Sequence, residues 1–166
     1  MPESIFKQIS LDILKLHRDS VYSLLATSGC NCQVHEAACQ VHEAAYVNID
    51  GKYYIALSCE PEVGEVKTGI LLIEDESRNL RLSWVGSARE LDCKDNAYKR
   101  ALSALSRKLG RCKDRLHTAV QPFLLELVPE KGRFSVGDEE VWISRNDLVR
   151  ALYPVGYSMR QAVFQI

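Results

Sequence analysis

The stretch from Gly69 to Asp92 constrains this chain more than any other. Its first part, Gly69-Ile70-Leu71-Leu72-Ile73, is an unbroken apolar run, the pattern of a strand buried on both faces. Its second part alternates. Leu80, Leu82, Trp84, Gly86 and Ala88 fall on one side, with Arg81, Ser83, Val85, Ser87 and Arg89 on the other. The charged segment 74–79 between them favours a turn. Gly86, in the middle of the long second strand, marks a bend or bulge of the kind a sheet needs where it curves into a barrel wall.

Around this pair the chain alternates between helix and strand signals. Ile5, Ile9, Ile13 and Leu16 recur at helical spacing, so residues 3–18 read as an amphipathic helix. Residues 21–27 read as a first strand. Residues 41–49 and 53–58 flank Asp50-Gly51, a hairpin signal because both turn positions take positive φ. Segment 59–68 is polar, contains Pro61 and Gly64, and reads as a loop. Tyr98, Ala101, Leu102, Leu105 and Leu109 mark a helix that Gly110 is suited to end. Residues 123–128 and 133–136 read as two strands joined by a type I turn at Pro129-Glu130-Lys131-Gly132. A short strand at 141–143 leads to Ser144-Arg145-Asn146-Asp147, whose capping-box spacing predicts a helix over 145–152. Six or more strands with helices at both ends and between strand groups predict a barrel-like α+β domain, not a doubly wound sheet.

A chain of 166 residues without a low-complexity linker is expected to form one domain, 1–166. That length buries roughly 70% of the unfolded chain's surface, so neither metal nor disulfides are needed to hold the fold. A formal net charge of −1 gives no overall attraction to nucleic acid or to an anionic membrane. Apolar runs are too short for membrane insertion, and charges interrupt the N-terminal apolar residues in a way a secretory signal does not tolerate. Reduced thiols and a cytoplasmic location are therefore expected for the six cysteines.

Cys32-Gln33-Val34-His35-Glu36-Ala37-Ala38 is followed at once by the same seven residues, Cys39 to Ala45. The second copy runs into Tyr46 and the Asp-Gly hairpin and reads as the real strand; the first is an inserted stretch that lengthens the hairpin or bulges from it. Cys30, Cys32, His35, Cys39 and His42 are zinc-ligand types, but no second ligand pair follows them, and a local duplication without metal is the expected reading. His17 and His117 read as surface or capping residues. Lys99, Arg100, Arg107, Lys108, Arg111, Lys113 and Arg115 make one helical region basic, read as a solvated face. No nucleophile elbow, phosphate loop or dinucleotide fingerprint is present, so no catalytic residue is named.

The strands at Leu25-Ala26-Thr27, Ile73-Glu74-Asp75-Glu76 and Arg81-Leu82, then Leu127-Val128-Pro129-Glu130-Lys131-Gly132-Arg133-Phe134 and Asn146-Asp147-Leu148, stand in an order that resembles the haem-utilisation branch of the pyridoxamine-phosphate-oxidase-like split barrels. The resemblance implies an α+β split β-barrel with flanking helices, pairing as a homodimer with cofactor pockets between subunits. Two-sided apolar strands, with Trp84 and Trp142, also exceed what one small barrel can enclose, which argues for an interface of about 2,000 Å² or more.

By the same resemblance, Ser58 matches a cofactor-binding serine, Lys67 is the cation available to a phosphate, and Tyr157 stands where a haem-ligating histidine is expected. Glu60, Glu62 and Glu65 replace the family's basic segment, and Pro122 replaces an acidic residue. The implied function is haem binding in iron utilisation. The alternatives are a flavin-mononucleotide-dependent oxidoreductase and a cofactor-free dimeric binding module.

Overall fold

A computed structural model describes residues 3–30, 37–57, 68–111 and 122–154. In chain order the elements are α1 (Glu3–Asp19), β1 (Tyr22–Cys30), β2 (Ala37–Ile49), β3 (Lys52–Leu57), β4 (Thr68–Asp75), β5 (Leu80–Glu90), α2 (Asn96–Arg111), β6 (Phe123–Val136), β7 (Glu139–Ile143) and α3 (Arg145–Leu152). The strands form one antiparallel sheet in the order β3-β2-β1-β4-β5-β6-β7, and pairing of β3 with β6 closes the first six into a barrel. The second copy of the heptapeptide lies within β2, as its continuation into the hairpin predicts.

Turn chemistry accounts for the local breaks. Asp50 and Gly51 have φ of 55° and 84°, and the Asn48 side chain accepts the Gly51 N–H at 3.1 Å. Between β4 and β5, Asp75 Oδ1 accepts the Ser77 N–H at 3.1 Å and Asn79 closes the turn at φ 54°. The capping box at Ser144 and Asp147 starts α3.

β5 alternates as its sequence does, with Leu80, Leu82, Trp84, Gly86 and Ala88 facing inward. Its register with β6 shifts after Val85, which pairs with Lys131, while Gly86 pairs with Pro129. Glu130 is the extra residue of a bulge, carried by β6 opposite the glycine. A side chain at residue 86 would run into the Val128 carbonyl.

Three expectations need correction. Segment 129–132 is not a turn: β6 is one continuous strand, because β5 pairs along it from Leu125 to Val136 and that ladder outweighs the local preference of Pro and Gly. Pro129 is tolerated because β3 leaves the other edge at Leu127 and β7 joins it only at Gly132. β4 is not buried on both faces. Leu71 and Ile73 face the core and are enclosed, whereas Ile70, on the alternate face, is 46% exposed. Finally, α2 runs through Gly110 to Arg111; Gly110 has no positive φ, and a Cβ there would meet nothing within 4 Å among the described residues, so no glycine is required.

Inside the barrel Leu25, Ile55, Leu71, Ile73, Leu82, Trp84, Leu125 and Leu127 form the core, and Ile13, Leu16, Leu148 and Ala151 from α1 and α3 join it at one end. On the outside, α2 packs Tyr98, Ala101, Leu105 and Leu109 against Ala45, Tyr54, Ala56 and Leu124 of β2, β3 and β6. Among the described residues no helix is long and apolar enough to cross a membrane.

Candidate functional site

The helix-capped end of the barrel holds a polar cluster within an apolar frame. His17 projects from α1 into the core and is 8% exposed. The Ile13 carbonyl accepts from its Nδ1 at 2.8 Å, which leaves Nε2 to accept the Tyr53 hydroxyl at 2.7 Å. Burial drives the His17 pKa down to about 4, so the ring is neutral at physiological pH. Burial likewise pushes the phenols of Tyr46 and Tyr53 well up. The Tyr46 hydroxyl meets Ser20 Oγ at 2.5 Å, and Lys108 reaches from α2 to lie 3.7 Å from the Tyr46 ring centre while donating to the Tyr46 carbonyl at 3.0 Å. The surface or capping role read for His17 is thus wrong. Its position four residues after Ile13 continues the apolar stripe of α1, and that was the available signal.

Beside this cluster a cleft opens between α1, α2, the end of β2 and Tyr153. It has two chambers of about 320 and 590 Å³ that share Val47, Asn48, Ala104, Arg107 and Tyr153. Tyr153 fixes the wall: its hydroxyl accepts the Asp50 N–H at 3.0 Å and lies 3.1 Å from the Asn48 carbonyl. Four cations of the basic run, Lys99, Arg100, Arg107 and Lys108, line this cleft; the first three are solvent-exposed, as the solvated-face reading expects, and Lys108 is half-buried.

A second buried ionisable group sits under α2. Glu126, 4% exposed, accepts from Arg89 Nε at 2.8 Å and from the Tyr54 hydroxyl at 3.0 Å. Burial alone would raise its pKa, but Arg89 and Tyr54 together more than offset this and hold it below the usual carboxylate value. Tyr54 is pushed up to about 12, first by burial and then by that carboxylate. All three side chains point away from the barrel interior, and the group ties β3, β5 and β6 together.

The opposite end of the barrel carries His42 and Thr27, on adjacent paired strands. His42 Nε2 and Thr27 Oγ1 are buried without a hydrogen-bond partner among the described residues. Ser58, Lys67 and Tyr157, the expected cofactor contacts, lie outside the described residues, as do Cys32, His35 and His117. Among the described residues no cluster of three or more metal-ligating side chains occurs.

Among the described residues, the outer face of β1, β4 and β5 is exposed. Cross-strand pairing aligns Val41, Ala26, Ile70 and Val85 in one row and Leu24 beside Leu72 in the next. Val41, Ile70, Val85 and Leu24 are between 39% and 66% exposed.

No family model matches the sequence, and neither does any curated protein. Solved structures do match. A protein related to general stress protein 26 of the pyridoxinephosphate oxidase family, from Clostridium acetobutylicum, aligns over 89% of this chain and 99% of its own at 15% identity and a TM-score of 0.62. The fold is that of a split barrel. The haem storage protein HutZ of Vibrio cholerae aligns over 75% of this chain and 92% of its own, at 19% identity and a TM-score of 0.58. A haem-binding protein from Mycobacterium smegmatis aligns over 84% of this chain and 59% of its own, at 12% identity and a TM-score of 0.62. The split barrel expected from the motif order is therefore borne out.

Proposed function

We propose that this chain is a cytoplasmic haem-binding protein of iron utilisation, acting as a homodimer with its cofactor between the subunits. The observation that carries the reading is the uncovered apolar face of β1, β4 and β5, where Ile70 and Val85 stand side by side and exposed. An exposed apolar face of this kind marks an interaction surface, and a second copy would remove it from water. The unpartnered His42 Nε2 and Thr27 Oγ1 fit a bound polar or metal-bearing group at that end of the barrel. An imidazole nitrogen suits haem iron, as does the phenol of Tyr157, and Ser58 and Lys67 would contact the anionic edge of the cofactor. When bound, haem would supply the iron; the chain's residues would ligate it, neutralise its carboxylates and exclude water.

The likeness to a pyridoxinephosphate oxidase family member along nearly that protein's whole length supports flavin mononucleotide as the second reading. Titrating the purified protein with hemin and with flavin mononucleotide separately tests both. A stoichiometric haem absorption band is the expected result. Bound yellow flavin without haem would transfer the assignment to an oxidoreductase, and silence with both would leave a cofactor-free dimer.

A further inference from the structure

We infer that the cleft between α1, α2 and Tyr153 is a binding site for a small phosphorylated ligand carrying at least two negative charges. This site is independent of the cofactor reading above. It lies at the Asp50-Gly51 end of β3, whereas Leu57 ends that strand about 17 Å away at the usual rise per residue.

Charge is the first argument. The chain as a whole has a net charge of −1, yet Arg18, Lys99, Arg100, Arg107 and Lys108 all line the two chambers, against the single carboxylate of Asp50. Asp50 is already engaged, 3.5 Å from Arg100, and Arg18 is held 3.2 Å from Asp19. Arg107, which lines both chambers, and Lys99 make no ion pair among the described residues. Arg18, Lys99, Arg100 and Arg107 are solvent-exposed along this cleft, and their summed positive potential attracts an oppositely charged ligand. One monocarboxylate would neutralise only a fraction of this excess; a phosphomonoester or diphosphate matches it, and guanidinium groups pair with phosphate oxygens two at a time.

Shape is the second. Arg100 and Arg107 are two turns apart on one face of α2, and the positions between them are Ser103 and Ala104, both in the cleft lining. Small side chains there let a ligand approach the helix while the two guanidinium groups close from either side. The opposite wall is rigid, because Tyr153 is tied to both Asn48 and Asp50. Asn48 lines both chambers, and its buried Nδ2 has no hydrogen-bond partner among the described residues although its Oδ1 accepts from Gly51. The chambers, about 320 and 590 Å³, fall in the size range of small-molecule sites.

The experiment uses inorganic pyrophosphate as the probe, with calorimetry and amide chemical-shift mapping on the full-length chain, in a buffer of fixed ionic strength. Saturable binding with shifts at Asn48, Ser103, Ala104 and Arg107 is expected. Arg107→Ala should weaken it at least tenfold, and Lys131→Ala, on a distant strand, should leave it unchanged. Unchanged circular dichroism of Arg107→Ala would separate lost contact from lost folding. Equal effects of both substitutions, equal shifts with sulfate at matched ionic strength, or no saturation would each overturn the proposal. So would tighter binding of a single-stranded oligoribonucleotide than of pyrophosphate at the same residues, which would make the cleft a nucleic-acid surface.

Discussion

Trp84 occupies the space that a side chain on Gly132 would need. The two residues face each other across β5 and β6, and a Cβ at 132 would lie 2.6 Å from Cζ3 and 2.7 Å from Cη2 of the indole. The largest side chain in the core is thus matched to an absent one on the neighbouring strand, beside the bulge at Glu130. Gly132→Ala should cost about 1–3 kcal/mol of stability through overpacking. Trp84→Leu in the same chain should relieve part of that cost, so urea unfolding of the two single variants and the double variant is expected to give a non-additive cycle.

Acid should unfold this protein through His17. Its pKa is about 4 when folded, against 6.5 for the free side chain, with burial the largest cause and Lys108 a lesser one. The unfolded imidazole therefore binds a proton more readily than the folded one. The stabilisation is complete above pH 6.5, declines as pH falls, and is lost by pH 4, a total of roughly 3 kcal/mol. Urea midpoints from pH 7 to pH 4 should fall less steeply for His17→Gln, which keeps a donor and an acceptor without titrating. Parallel curves for the two proteins would contradict this account.

The exposed row on β1, β4 and β5 predicts the effect of one charge. Ile70→Glu sits outside the barrel, so circular dichroism should be retained while light scattering at micromolar concentration shifts from a dimeric to a monomeric mass. A wild-type protein that is already monomeric would sink the dimer proposal.

For a haem-loaded protein, Tyr157→Phe keeps the ring and removes the phenol oxygen. If Tyr157 ligates the iron, the ferric absorption spectrum should shift and haem retention should weaken. An unaltered spectrum would eliminate Tyr157 and make His42→Ala the next measurement, given the unpartnered nitrogen of that ring.

Much of the local structure was legible because it depends on short-range sterics. The stripe of α1, the positive φ at Asp50 and Gly51, the inward alternation of β5 and the capping box at Ser144 all follow from residues within one or two turns of each other. The order of short motifs also resembled the right barrel. The candidate site was less legible. The basic run on α2 was visible, but that Arg18 and Tyr153 join it from elements far away in the chain was not.

By itself, then, the sequence determined where strands and helices begin and turn, through backbone sterics and side-chain periodicity. Tertiary structure decided which of two competing local preferences survived and which faces met water. Pro129-Glu130-Lys131-Gly132 stayed extended because a ladder to β5 forms along it, and Tyr53 meets Leu127 across the barrel seam although more than seventy residues separate them. His17 became a core residue, and Ile70 an exposed one, for the same physical reason. Burial is set by what packs from elsewhere in the chain, and a residue's own neighbours in sequence carry little information about that.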